Sequence, residues 1–337
     1  MRRWRNLQWV NFPKMAKRFI EKLQSHWMLR QWDKILFLFL LASFVLGIPG
    51  QNIYSTIRAG VAPNTRSIPF ALPTPAPLPI NTTGIYPGPE ITAQGVVVLD
   101  LDSNVTMYKR NELELLAPAS TTKILTALVA LDHYQLDDVV TVATAANNGQ
   151  VMGLVPGEKI TVENLLYGAL IHSGNDAAWA LGEHYKGGMD AFVAEMNAKA
   201  KLIHLDNSHF TNPVGYDDPM HKMTPTDLAR LAAFALTNKT IAKIVAIPQI
   251  TISDVTHTYF HSLTNVNQLL GKIPGVGGIK TGWTEEAGEN LVTLIERDDH
   301  RVIIVVLKSA NRFSETAALI NWIFSSYQWK VFEPPVN

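Results

Sequence analysis

The sequence contains no cysteine. That absence excludes a disulfide framework, thiolate metal sites and thiol catalysis together. There is no excess of either charge: 29 basic residues balance 29 acidic ones. A nucleic-acid partner would require a basic field, so none is expected. No H-E-x-x-H or comparable ligand spacing occurs, although His204, His209 and His221 stand close together beside Asp206, Asp217 and Asp218. These histidines are read as loop and packing residues, and no metal or other cofactor is expected. Internal repeats are absent too. Long apolar runs are scarce, and the one that stands out is the fourteen-residue uncharged stretch from Ile35 to Ile48. A membrane-spanning helix needs roughly 20 such residues, whereas a signal-peptide core is shorter.

The zero net charge averages unlike regions. Residues 1–34 hold nine Lys or Arg against two acids, a basic N-terminal segment that the positive-inside tendency keeps in the cytoplasm. Residues 35–50 follow as either a cleaved signal peptide or a retained signal anchor. The long basic flank and the lack of a clean A-x-A site favour retention, and the Gly47–Gly50 stretch is where processing could occur. The remainder is then expected at the outer face of the cell membrane, or secreted if residues 1–50 are removed. Residues 51–90 lack periodicity and carry eight prolines between Pro63 and Pro89, so they read as a semi-rigid spacer. A folded domain is expected over 91–330, with a tail at 331–337.

Within that domain, GVVVLDLDSNVTMYKRN reads as a hairpin around an Asp-Ser-Asn turn. Ile124, Leu125, Leu128, Val129 and Leu131 form an apolar stripe at helical spacing, and further helical patterns cover Val162–Ile171, Ala177–Tyr185, Met189–Leu202 and Thr226–Thr237. Strands are expected at Gly278–Trp283, Asn290–Glu296 and Arg301–Lys308, then a helix at Ser314–Ser325. Strands at both ends of a helical middle predict an α/β domain of the α+β type. Its antiparallel sheet is completed by the N-terminal hairpin and flanked by helices.

Three short motifs carry chemistry. Ser120-Thr121-Thr122-Lys123 opens the striped helix, where positions i and i+3 share a face, so Lys123 can reach back to the Ser120 hydroxyl. Such a lysine serves as a base only if burial or a neighbouring cation lowers its pKa. Ser173-Gly174-Asn175 falls in a break between two apolar helices, and could equally be a helix cap. Lys280-Thr281-Gly282 follows the glycine-rich PGVGGI and precedes Trp283; a glycine there lets a ligand backbone lie close to a strand edge. Each motif alone is common.

In this order and at these wide intervals, the set S-x-x-K, S-x-N and K-T-G resembles the serine penicillin-binding proteins and β-lactamases. SGNDAAWALGEH, MNAKAKLIHLDNSHFTNPVGYDDPMH and PGVGGIKTGWTEEAGENL narrow the resemblance to the low-molecular-mass D-alanyl-D-alanine carboxypeptidases over residues 91–330. The resemblance implies a β-lactamase/DD-peptidase-like fold and a serine carboxypeptidase that trims peptidoglycan stem peptides ending in D-Ala-D-Ala. β-Lactam antibiotics would be acylating inhibitors. It implies Ser120 as nucleophile, Lys123 as base, Ser173 as proton relay to the leaving amine and Asn175 as holder of Lys123 and of substrate. Lys280 would supply positive potential, Thr281 would bind the substrate carboxylate, and the N–H groups of Ser120 and Trp283 would form the oxyanion hole. Arg312 is the candidate for the arginine that family members place after K-T-G.

A class A β-lactamase would also need a deacylating glutamate on a loop between motifs two and three, and no E-x-x-x-N pattern occurs there. An endopeptidase acting on cross-links, or a slow penicillin-binding receptor, keeps all three motifs. Many members carry a small β-rich second domain and a C-terminal amphipathic helix. With Asn337 as the last residue neither is expected, which favours the N-terminal segment as the membrane attachment.

Overall fold

Runs of valine and isoleucine buried on both faces set the centre of the molecule. The computed structural model describes residues 31, 34, 36–44, 76–84, 88–144 and 146–332. Strands β2 (Gly95–Asp100), β3 (Thr106–Arg110), β8 (Val276–Thr284), β9 (Gly288–Arg297) and β10 (His300–Ser309) form one five-stranded sheet in the order β3-β2-β10-β9-β8. Every neighbouring pair is antiparallel. The expected hairpin is β2–β3. The turn between β9 and β10 places Asp298 and Asp299 at φ 53° and 61°, the paired positive values of a tight type I′ hairpin.

Period-two alternation gives the sheet two packed faces. Val96, Val98, Ile304 and Val306 point to one side, where they meet Leu319, Ile320 and Ile323 of helix α7 (Arg312–Ser326). Val97, Leu99, Ile303 and Val305 point to the other, into the larger core. That core is built by α1 (Lys123–His133), α2 (Val162–Leu170), α3 (Asn175–Glu183), α4 (Gly188–Leu202), α5 (Pro225–Leu236) and α6 (Lys239–Val245). Ile303 and Val305 have no exposed surface; each such side chain contributes about 1.5–3 kcal/mol relative to exposure. The helix starts are explicit in the sequence. Thr161, Thr224, Asn238 and Asn311 each accept a backbone N–H of the first turn, and Pro225 fills the first position of α5.

Three small two-stranded sheets were not anticipated. They pair β4 (Val139–Thr141) with β5 (Lys159–Thr161), β6 (Gln249–Ser253) with β7 (Phe260–Thr264), and β1 (Leu78–Asn81) with β11 (Tyr327–Lys330). Residues 78–81 lie in the stretch read as spacer. Their strand runs beside the chain after α7, with Pro79 opposite Trp329, and an edge position tolerates proline.

Residues 36–44 are helical and exposed. Among the described residues no helix is long and apolar enough to cross a membrane. The basic segment 1–30, residues 45–75 and the tail beyond 332 lie outside the described residues, so the expectations placed on them have no structural counterpart.

Candidate active site

The nucleophile candidate sits in a tight turn that two glycines allow. Ala119–Thr122 form a single 3-10 turn leading into α1. Ala119 has φ 49°, a left-handed value that costs an alanine roughly 1–2 kcal/mol. A Cβ on Gly215 would stand 1.8 Å from Ala119 O. One on Gly282 would stand 2.9 Å from Pro118 O and 3.1 Å from Ser120 N. Glycine at 282 therefore lets β8 press against the nucleophile's own turn, a different use from the ligand approach expected of it. Ser120 does not cap α1; Thr122 holds that position, and its hydroxyl lies 2.9 Å from His221 Nε2. The Thr211 N–H donates to His221 Nδ1 at 3.2 Å, which leaves the ring proton on Nε2. Burial pushes His221 down to about 4, so the ring stays neutral behind the turn.

Lys123 has no exposed surface. Its Nζ lies 2.8 Å from Ser120 Oγ, 2.7 Å from Asn175 Oδ1 and 2.8 Å from Val214 O. Burial first, then the charge of Lys280, holds Lys123 well below the ordinary lysine range, against an opposing pull from Asp176. A neutral amine has two N–H donors and one lone pair. In that state the two carbonyl oxygens would take the donors, and the lone pair would be left for the Ser120 hydroxyl; the protonated amine instead donates to all three oxygens.

Ser173, at φ 62°, and Asn175, the first residue of α3, stand on the opposite wall. Lys280 Nζ reaches Ser173 Oγ at 2.7 Å and Thr281 O at 3.0 Å. Lys280 is almost completely buried and is pushed down to about 7, by burial first and then by the Arg312 charge. Arg312 opens α7 and donates from Nη1 to Gly282 O at 2.6 Å. Its own pKa is lowered by burial, partly offset by Glu289, which accepts the Arg312 backbone N–H at 2.8 Å.

These walls enclose a cleft of about 810 Å³ that Ser120, Ser173, Asn175, Thr281, Gly282, Trp283 and Arg312 all line. The Trp283 indole is 64% exposed at its mouth. All nine motif-derived residues thus converge, Lys123 and Lys280 lying just beneath the surface. Two contributors were not named from sequence. Val214 O and Asn148 O, the latter accepting from Asn175 Nδ2 at 2.7 Å, are main-chain atoms with no residue-type signature. The Val214 loop is shaped by Asn212, whose Oδ1 accepts from the backbone N–H of residues 214, 215 and 216. Asn-Pro-x-Gly was the available signal. His204 and His209 contribute main-chain bonds elsewhere, and no metal-holding cluster occurs among the described residues.

A serine facing a buried lysine whose pKa is held well below the ordinary range, with a second serine held by a second lysine across an open cleft, defines a serine hydrolase that works through an acyl-enzyme. The chain belongs to the D-alanyl-D-alanine carboxypeptidase family of serine peptidases, whose model matches residues 82–311. It is 35% identical to the D-alanyl-D-alanine carboxypeptidase DacF of Bacillus subtilis over 70% of this chain and 63% of that protein. It is 34% identical to DacB2 of Mycobacterium tuberculosis over 73% and 87%. The crystal structure of the Streptomyces K15 DD-transpeptidase superposes with a TM-score of 0.67 at 33% identity, covering 71% of this chain and 99% of that one.

Proposed function

We propose that the chain removes the terminal D-alanine from peptidoglycan stem peptides ending in D-Ala-D-Ala. The observation that carries this reading is the contact set of Lys123, which leaves its lone pair to Ser120 Oγ at 2.8 Å. The Ser120 hydroxyl attacks the carbonyl carbon between the two D-alanines while its proton passes to Lys123 Nζ. The backbone N–H groups of Ser120 and Trp283 receive the oxyanion. The C–N bond then breaks, the leaving amine takes a proton through the Ser173 hydroxyl, and water hydrolyses the acyl-enzyme. Asn175 orients Lys123 and the substrate amide. Thr281, Lys280 and Arg312 supply a hydroxyl and positive charge for the terminal carboxylate. A β-lactam enters by the same route and stays as a slowly hydrolysed acyl group on Ser120.

In the same reading, residues 35–50 hold the catalytic domain at the outer face of the bacterial membrane, and the spacer is the part of residues 51–90 that precedes strand β1 at Leu78. The apolar run after a segment with nine cations supports it.

The test is D-alanine release from a D-Ala-D-Ala peptide by the full chain beside Ser120→Ala. Release that vanishes in the variant is expected. A folded wild-type protein that releases none overturns the reading.

A further inference from the structure

Residues 148–154 belong to no helix or strand, yet they fix one of the residues nearest the chemistry. Asn148 O accepts from Asn175 Nδ2 at 2.7 Å, and Gln150 O accepts the Asn175 backbone N–H at 2.7 Å. With its NH2 group engaged on this side, the Asn175 amide must turn its oxygen toward Lys123. Irregular chain needs something to hold it in place. That holder is Asp176, whose carboxylate accepts N–H groups from Met152 at 3.0 Å, Gly153 at 2.9 Å and Leu154 at 3.0 Å. A fourth donor is the Ala177 N–H at 2.9 Å. Only 1% of Asp176 is exposed. A carboxylate buried this deeply against several peptide N–H groups is costly to replace.

We propose that Asp176 is a positioning residue for acylation, holding residues 148–154 so that Asn175 presents its oxygen to Lys123. The inference rests on the acyl-enzyme reading above. Asp176 is not among the residues that line the cleft. Its negative charge also acts on Lys123, favouring the protonated amine against burial and against Lys280. The other titratable groups around Lys123 are Tyr216 on the Asn212 loop, which itself feels Asp176, and neutral His221 behind the turn. Removing the Asp176 charge therefore lowers the Lys123 pKa further. The acid limb of the acylation profile, set by loss of the Lys123 proton, must move to lower pH.

The experiment measures the rate of acylation by a fluorescent penicillin from mildly acidic to mildly alkaline pH, on the full chain. Asp176→Asn keeps the shape and removes the charge. It is expected to acylate on the order of 100-fold more slowly, with its acid limb displaced downward. Gly149→Ala loosens the same contact from the other side: the residue has φ 73°, and a Cβ there would stand 2.7 Å from Asn175 Nδ2. It is expected to slow acylation with the limb unmoved. An Asp176→Asn protein that acylates at the wild-type rate overturns the proposal, and slowed acylation with the limb displaced downward supports it. If that variant does not fold, Gly149→Ala acylating at the wild-type rate overturns it, and slowed acylation supports it. Wild-type protein that is not acylated at all counts against the proposed function instead.

Discussion

Ser173 and Lys280, 107 residues apart in the chain, are joined by a 2.7 Å hydrogen bond beneath the cleft floor. Ser120 and Lys123 repeat the arrangement within a single turn, at 2.8 Å. The two pairs differ in the state of the amine. Lys123, the deeper one, is held well below the ordinary range, whereas Lys280 keeps its proton to about 7. Two like charges in one dry site push their titrations apart, so one lysine is equipped to take a proton while the other holds charge.

Lys280 is held in the fold at a thermodynamic cost. Its folded value of about 7 lies below the ordinary 10.5, so between these values the unfolded chain binds a proton that the native site does not. Wild-type stability should therefore fall as pH drops from 10.5 toward 7. Lys280→Met should lack that slope and be more stable at neutral pH by about 1–4 kcal/mol. Its D-alanine release should fall by roughly 100-fold. Urea unfolding at neutral and alkaline pH checks this; a variant less stable than wild type at neutral pH would refute it.

Arg312 should tune Lys280. Its charge lowers the Lys280 pKa, so Arg312→Gln should raise that pKa above about 7. The alkaline rise of KM for a D-Ala-D-Ala peptide, which follows loss of the Lys280 charge, then moves to higher pH. KM itself should increase about tenfold with the loss of one charged contact. Profiles of KM against pH for the two proteins decide it, and coincident alkaline limbs would count against the coupling.

Gly282→Ala tests the closeness of β8 to the nucleophile. The added Cβ meets Pro118 O and Ser120 N, so strand and turn must part by a fraction of an ångström. Acylation should slow about 10-fold, short of the roughly 100-fold that a full 1 Å misplacement can cost. Burst kinetics with a chromogenic cephalosporin would show it; a wild-type burst rate would mean that the turn yields freely.

His221 predicts an acid weakness. Its folded value of about 4 lies below the ordinary 6.5, so the native state binds fewer protons than the unfolded chain within that window. Stability is then lost as pH falls from 6.5 to about 4, by on the order of 3 kcal/mol. His221→Gln should flatten that part of the curve, which thermal unfolding across the window measures. An unchanged acid slope would remove His221 as the cause.

What sequence made legible follows from where the information resides. Side-chain chemistry at fixed spacing was visible, so Ser120, Lys123, Ser173, Asn175 and Lys280 could be named, while Arg312 came only from the family resemblance; all line or underlie one cleft. The central strands β2 and β10 were legible because both of their faces are buried and they are rich in Val, Ile and Leu. Main-chain contributors were not. Asn148 and Val214 act through carbonyl oxygens, which any residue type would supply. Gly215 was hidden because the atom that forbids a side chain there, Ala119 O, is 96 residues away. Strand β1 was lost because proline-rich composition hides register, and its partner lies at the far end of the domain.

That last pairing has a mechanical meaning. Leu78–Asn81 is zipped to Tyr327–Lys330 by four residue pairs, in a sheet separate from the one that carries Lys280. A pull on the chain ahead of residue 78 is met first by this small clasp, whose pairs can yield one at a time. Peeling it pays out slack before any load reaches β2 and the strands beyond. Such a pull would strain this clasp first, and the sheet that carries Lys280 lies behind it.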